Sequence, residues 1–132
     1  MDCIFCKIVR GEIPSAKVYE DDQVLAFLNI EAIREGHTLV IPKVHVEYVH
    51  QMDEQTYASV MDVVKKAARA LDDCFSPKRV GIKVEGFEVP HAHVHVLPLQ
   101  DIGDISTKAE LLHPTAEERS RVAKTLQEYL DS

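Results

Sequence analysis

The stretch HAHVHVLP, residues 91–98, holds three histidines at alternate positions with apolar residues between them. Side chains alternate between the two faces of a β-strand, so this spacing predicts a strand over 91–97 that ends at Pro98. Its apolar face is expected to pack on the core. Histidine is a poor core residue, so a row of three on the other face indicates a chemical role. The histidines are His91, His93 and His95, and the apolar residues opposite them are Ala92, Val94 and Val96.

An imidazole can act as a nucleophile, as a general acid or base, or as a metal ligand. Alternate side chains on a strand lie about 6.5 to 7 Å apart. A central imidazole could therefore attack a phosphorus atom while a flanking one donates to a non-bridging oxygen. Two other interpretations stay open at this point: three solvated surface histidines, and a catalytic metal centre built on the row.

The rest of the chain predicts an α+β fold with a five-stranded antiparallel sheet, a main helix packed on it and a C-terminal helix. The main helix follows Asp53, a good N-cap residue, because apolar residues then recur at three- and four-residue spacing as far as Phe75. Thr115 and Glu118 form a capping box for the last helix. The other predicted elements are a short helix or turn over 4–10, strands over 16–20, 23–30, 37–41 and 80–84, and a surface loop over 99–113.

Length and composition narrow the classes of protein. The 132 residues suit one domain, which we predict over 1–132. A formal charge of −7 disfavours nucleic-acid binding. The sequence has no apolar run that predicts a membrane span or a signal peptide. Its three cysteines, an odd number, are expected to be reduced in the cytoplasm rather than paired in disulfides.

Three segments together resemble the histidine-triad (HIT) family. They are CIFCKIVRGEIPSAKVYEDDQVLAFLNI at 3–30, GHTLVIPKVHV at 36–46 and HAHVHVLP at 91–98. The resemblance implies the HIT-like fold and a hydrolase or transferase that cleaves a nucleoside phosphoramidate or a nucleotidyl phosphoanhydride. It also implies a purine nucleoside phosphate such as AMP or GMP as ligand, no cofactor for catalysis, and a homodimer joined through the strand at 78–84.

The same resemblance assigns a role to each histidine of the site. His93 would be the nucleophile that forms a covalent nucleotidyl-imidazole intermediate, which water then hydrolyses. His95 would hold the phosphate, and His91 would orient His93, through its backbone carbonyl in one arrangement. His37 matches a fourth family histidine that supports the triad; a histidine at the surface end of a strand is the alternative.

The nucleoside pocket is carried over from the family's LAFLNI-like segment and from the N-terminal helix. For Phe27 and Ile30, a plain core position is the alternative. Asn29 stands where the family usually has Asp for the ribose, which keeps an acceptor and adds donors. The candidate substrate-binding residues are Phe5, Ile8, Phe27, Leu28, Asn29, Ile30, Glu88 and Val89.

A structural zinc ion is also implied, because some bacterial-type members bind one through a Cys-x-x-Cys pair and two histidines. The matching residues are Cys3, Cys6, His45 and His91. Two thiolates and two imidazoles fill a tetrahedral shell and leave no open position, which is typical of structural zinc. Two buried, reduced cysteines are the alternative. Cys74 is predicted to be a packing residue.

The segment before the triad departs from the family pattern. Many members have an Asn and a Gly-Gln-Ser/Thr stretch there, which helps the leaving group depart; this chain has VGIKVEGFEVPH at 80–91. Glu88 falls near the expected hydroxyl, where a carboxylate would need a partner such as Lys83 or Lys43, or could serve as a general acid. A nucleotide-binding or partner-binding module with weak or no catalysis is therefore the alternative function.

Overall fold

The computed structural model describes residues 3–106 and 111–130, and its centre is an antiparallel five-stranded sheet. The predicted α+β architecture is confirmed. The strands lie in the order β1-β2-β3-β5-β4, so β5 is flanked by β3 and β4. Residues 107–110 of the loop predicted over 99–113 lie outside the described ranges. The strands are β1 (Lys17–Glu20), β2 (Val24–Leu28), β3 (Thr38–Pro42), β4 (Arg79–Lys83) and β5 (Val94–Leu99).

The helices are α1 (Ile4–Val9), α2 (Glu54–Phe75) and α3 (Ala116–Leu130), with short 3-10 turns at Val49–Gln51 and Ile102–Ile105. The predicted caps are present. The Asp53 side chain accepts from the backbone N–H of Thr56, and Thr115 and Glu118 exchange two hydrogen bonds at the start of α3. Among the described helices, none combines the length and the apolar character that crossing a membrane requires.

The sheet is packed on both faces. On one face, α2 and α3 bury residues such as Val94 and Val96, as the apolar side of the histidine strand predicts. On the other face, Phe5 and Ile8 of α1 pack against a smaller apolar cluster. The three histidines of 91–95 share this second side and are 0%, 4% and 8% exposed, so the interpretation as solvated surface histidines is wrong.

The histidine strand begins later and ends later than the pattern predicts. His91 and His93 precede the strand, and the backbone N–H groups of His91 and Ala92 donate to the carbonyls of Val89 and Val46 instead of a strand ladder. Pro98 does not end the strand but pairs with Val80. Its missing N–H is tolerated because pairing with β3 stops at Val96, so β5 has a neighbour on one side only from that point.

Gly36 lies at the contact between the β2–β3 connection and the end of α2. Its φ of +93° is in the region that favours glycine. A Cβ there would lie 2.6 Å from Cε2 of Phe75 and 3.0 Å from Cδ2 of Leu71. Because His37 follows directly, this close approach fixes where the first histidine of the site enters the sheet.

Gly36→Ala should therefore destabilise the protein by roughly 2–5 kcal/mol, since the left-handed backbone and the crowding both add a cost. Chemical denaturation measures the change. Gly11→Ala is the matched control, because Gly11 has φ +79° but nothing lies within 4 Å of the position that a Cβ would take there. Equal losses in the two variants would contradict the role assigned to the α2 contact.

Candidate functional site

His37 and His95 are buried and form a hydrogen-bonded pair. Nε2 of His37 lies 2.9 Å from Nδ1 of His95, and Nδ1 of His37 accepts from the backbone N–H of Ile33 at 3.1 Å. A neutral imidazole carries one proton, so His37 must carry it on Nε2 and donate to His95. His95 then carries its own proton on Nε2. This Nε2–H is buried and has no acceptor within the described residues.

His93 is fixed by the backbone beside it. Its Nδ1 lies 2.7 Å from the carbonyl oxygen of His91, which can only accept, so Nδ1 carries the proton. The lone pair of His93 is left on Nε2. The Phe5 ring packs nearly perpendicular to the imidazole, with centroids 5.1 Å apart. This hydrogen bond to the His91 carbonyl is the arrangement that the family resemblance implies.

The tautomers decide what the row can bind. Nε2 of His93 offers a lone pair and Nε2 of His95 offers a proton, so the pair suits an electrophile that carries an acceptor oxygen. A metal needs a lone pair from each ligand. His95 has none free in this arrangement, which argues against a catalytic metal centre on the row.

Burial keeps these imidazoles neutral. It lowers the pKa of His37 to about 3 and that of His95 to about 4, with the neighbouring histidine as the next cause in each case. Burial also lowers the pKa of His91. His37 and His95 therefore keep the tautomers deduced above at neutral pH.

A cavity of about 180 Å³ opens beside His93 and His95. All eight residues that the sequence names as substrate-binding line it, although residues 3–30 and 88–89 are far apart in the chain. Sequence reasoning missed other wall residues, including Leu39 and Arg119. The predicted residues on the wall are Phe5, Ile8, Phe27, Leu28, Asn29, Ile30, Glu88 and Val89.

The polar end of this cavity is a turn, not a strand. The predicted strand over 23–30 ends at Leu28, because Asn29 accepts the Glu31 N–H on its side-chain oxygen at 3.0 Å. The amide NH₂ of Asn29 remains as a donor. Ile30 is 57% exposed, so a core position is wrong for it, whereas Phe27 is both buried and on the cavity wall.

Two glutamates stand beside the histidines. Glu88 lines the cavity, and it forms no ion pair with either lysine proposed to neutralise it: Lys43 pairs with Glu20 at 2.8 Å, and Lys83 donates to the Ile105 carbonyl at 3.3 Å. Sequence reasoning missed Glu85. One oxygen of Glu85 and one ring nitrogen each of His93 and His95 lie within 4.8 Å of one another.

The position of Glu85 follows from strand register. Lys83 pairs with His95 across the antiparallel strands β4 and β5. Continuing that register by two residues sets Glu85 opposite His93. The alternating sequence pattern does not specify which residues of β4 and β5 pair. It is compatible with a few registers, and the register observed here is one of them.

The second cluster contains Cys3, Cys6, His45 and His91. Sγ of Cys3 lies 3.6 Å from Nδ1 of His45 and 3.4 Å from Nδ1 of His91. Sγ of Cys6 lies 3.1 Å and 3.5 Å from the same two atoms. Tetrahedral zinc, with Zn–S about 2.3 Å and Zn–N about 2.0 Å, separates sulfur from nitrogen by about 3.5 Å. The spacing of the four donors therefore fits the ion.

The protonation of the cluster is consistent with a cation. Nε2 of His91 donates to the carbonyl of Pro42 at 2.8 Å, which leaves its Nδ1 lone pair facing the sulfurs. Burial, followed by the neighbouring Cys3, raises the pKa of the Cys6 thiol to about 11. A thiol such as that of Cys6 ionises readily only where a cation binds it. Cys74 is half-buried against α2's apolar cluster, as predicted for a packing residue.

Curated relatives share most of the chain. The protein is 46% identical over 110 residues to Protein hit of Bacillus subtilis (strain 168), covering 78% of this chain and 74% of that one. It is 38% identical over 100 residues to Adenosine 5'-monophosphoramidase HNT1 of Saccharomyces cerevisiae, covering 75% and 63%. It is 32% identical over 105 residues to Adenylylsulfatase HINT3 of Arabidopsis thaliana, covering 76% and 53%.

Solved structures match over nearly the whole chain. A Hit-like protein from Bartonella henselae has a TM-score of 0.83 at 33% identity, covering 97% of this chain and 96% of that one. A Zn-bound histidine triad family protein from Mycobacterium smegmatis has a TM-score of 0.79 at 31% identity, covering 99% and 94%. The family model for the HIT domain matches residues 10–102. The chain therefore belongs to the histidine-triad family.

Proposed function

We propose that the protein hydrolyses or transfers a purine nucleoside monophosphoryl group, with an adenosine 5'-phosphoramidate as the substrate class. Relatives named adenosine 5'-monophosphoramidase and adenylylsulfatase support a nucleotide hydrolase. The observation that carries the proposal is the pair of opposed imidazoles. His93 presents a lone pair and His95 presents an N–H at the wall of one cavity.

In the proposed first step, Nε2 of His93 attacks the α-phosphorus. An N–P bond forms as the P–N bond to the leaving amine breaks, and that amine departs with the bonding electron pair and takes a proton from solvent. The Nε2–H of His95 donates to a non-bridging oxygen, where charge develops. The His91 carbonyl accepts from Nδ1–H of His93 and so stabilises the positive charge on the attacking ring.

In the second step, water attacks the phosphorus of the nucleotidyl-histidine. The N–P electron pair returns to Nε2 of His93, the water proton leaves to solvent, and the nucleoside monophosphate is released. His37 acts through His95, because its donated hydrogen bond holds the proton of that ring on Nε2.

The cavity suits the nucleoside part of such a substrate. Phe5 and Ile8 offer apolar surface for a base, and Asn29 offers its NH₂ to the ribose hydroxyls. Adenine is favoured by the names of the relatives. A non-catalytic nucleotide-binding module is the second candidate, because Glu88 lines the cavity and falls in the sequence near the position where the resemblance to the family implies a hydroxyl residue.

His93→Ala should abolish turnover of an adenosine phosphoramidate that releases a fluorescent amine, by at least about 10³-fold, since the nucleophile is removed. AMP binding by calorimetry should survive. His50→Ala is the control, because His50 is exposed and stacks on Tyr48 away from the cavity. Near-full activity in His93→Ala would refute the mechanism. AMP binding by a wild type that turns over no substrate would favour the binding module.

A structural zinc ion in the Cys3, Cys6, His45 and His91 cluster is the second part of the proposal. Cys6→Ser should lose the bound metal and lower the Tm by at least about 5 °C, because metal binding adds to folding free energy. Cys6 is the better target, since Cys3 also caps α1. Metal analysis with Cys74→Ser as control checks this. Stoichiometric zinc retained by Cys6→Ser would contradict the site.

A homodimer through β4 is the third part. β4 is an edge strand, and Ile82 on it is 49% exposed. Light scattering at micromolar concentration should give a dimer, and Ile82→Asp should shift it to monomer because a carboxylate is costly to bury. Tyr129→Asp on α3, which packs beside β1 at the far edge, is the control. A wild-type monomer would contradict this interface.

A further inference from the structure

A second cavity, of about 160 Å³, shares His95 as a wall residue with the nucleoside cavity. Both cavities include Asn29, Glu31, Glu88 and His95, so they are continuous around that ring. A phosphoryl group held by His95 would face both. With the nucleoside in the first cavity, the second would be the space open to the group that leaves phosphorus.

The second cavity is acidic. Among the described residues that line it, Glu31, Glu85 and Glu88 stand against one cation, Lys83, whose ammonium donates to the Ile105 carbonyl. The two histidines on the wall do not offset this charge, because burial lowers their pKa values to about 3 and about 4.

Among the described residues, Glu85 is the carboxylate that forms a cluster with His93 and His95. Its carboxylate is within 4.8 Å of a ring nitrogen of His93 and of His95. The Phe87 backbone N–H lies 3.4 Å from its Oε1, and the side chain is half-buried. The Nε2–H of His95, a residue only 8% exposed, marks where an acceptor oxygen of the ligand is required, next to that carboxylate.

We propose that Glu85, assisted by Glu88, selects a leaving group that carries a positive charge of its own and rejects anionic leaving groups. This inference rests on the proposed function. A carboxylate repels a departing phosphate or sulfate and attracts an ammonium group. The charged group meant here is a second amine, remote from the nitrogen whose bond to phosphorus breaks, so it keeps its proton throughout the reaction.

The names of the relatives imply two kinds of leaving group. An amine leaves in phosphoramidate hydrolysis, whereas sulfate leaves in adenylylsulfate hydrolysis. The acidic wall of Glu85 and Glu88 in this chain favours the first and opposes the second. These two glutamates are specificity-determining residues, distinct from the imidazoles that bond to or hold the phosphoryl group.

The test compares three adenosine substrates. The first is the 5'-phosphoramidate of 1,4-diaminobutane, with a distal ammonium; the second is that of butylamine, of the same length but neutral; the third is adenosine 5'-phosphosulfate. The wild type should prefer the diamine over butylamine by about tenfold in kcat/KM, mostly through KM, and the preference should shrink with added salt.

Glu85→Gln/Glu88→Gln should bring that ratio close to one and should raise turnover of the phosphosulfate, and Glu85→Gln alone should change turnover of the butylamine substrate by less than about threefold. Glu117 is an exposed residue of α3 outside the cavity. Glu117→Gln removes one carboxylate there and should leave the ratio unchanged. The single variant Glu85→Gln should account for most of the loss.

These measurements test the role of the glutamates separately from the proposed function. Turnover of butylamine substrate by wild type with a ratio near one, or an unchanged ratio in the double variant, overturns the role of the glutamates and leaves the proposed function standing. No turnover of any of the three substrates by wild type overturns both.

Discussion

The hydrogen bond from Nδ1–H of His93 to the carbonyl of His91 is the constraint on which the chemistry of the site depends. It assigns the proton of one ring and thereby assigns the lone pair. The bond is made by the backbone of the same segment, two residues away, so its geometry is set by how the chain enters β5. That entry is in turn held by the bond from Ala92 N–H to the Val46 carbonyl.

Burial and hydrogen bonding both favour the neutral form of His37 and His95. His37 and His95 are buried, which disfavours their charged forms. A neutral His37 can pass one defined hydrogen bond to His95, and a charged one would donate from both nitrogens and lose the Ile33 contact. The apolar packing therefore specifies the polar arrangement.

Local patterns were enough to predict the helices, the caps and the two faces of the histidine strand. They could not give contacts that depend on strand pairing. The His37–His95 bond requires β3 beside β5, with Leu39 opposite His95, and Glu85 requires the register of β4. The strand end predicted at Pro98 was wrong because tolerance of that proline depends on where β3 ends. The four-residue Cys and His cluster was suggested only by family resemblance, since its members are up to 88 residues apart.

His91 illustrates a further property of the site. One ring nitrogen faces the cysteine sulfurs, the other donates to Pro42, and the backbone oxygen holds His93. Such a ring can neither flip nor change rotamer without losing contacts on both sides. The side-chain entropy of the triad is thus lost when the chain folds and not when a ligand arrives. A ligand that binds beside these histidines would therefore find their side chains already ordered, and most of the conformational adjustment would fall to the ligand.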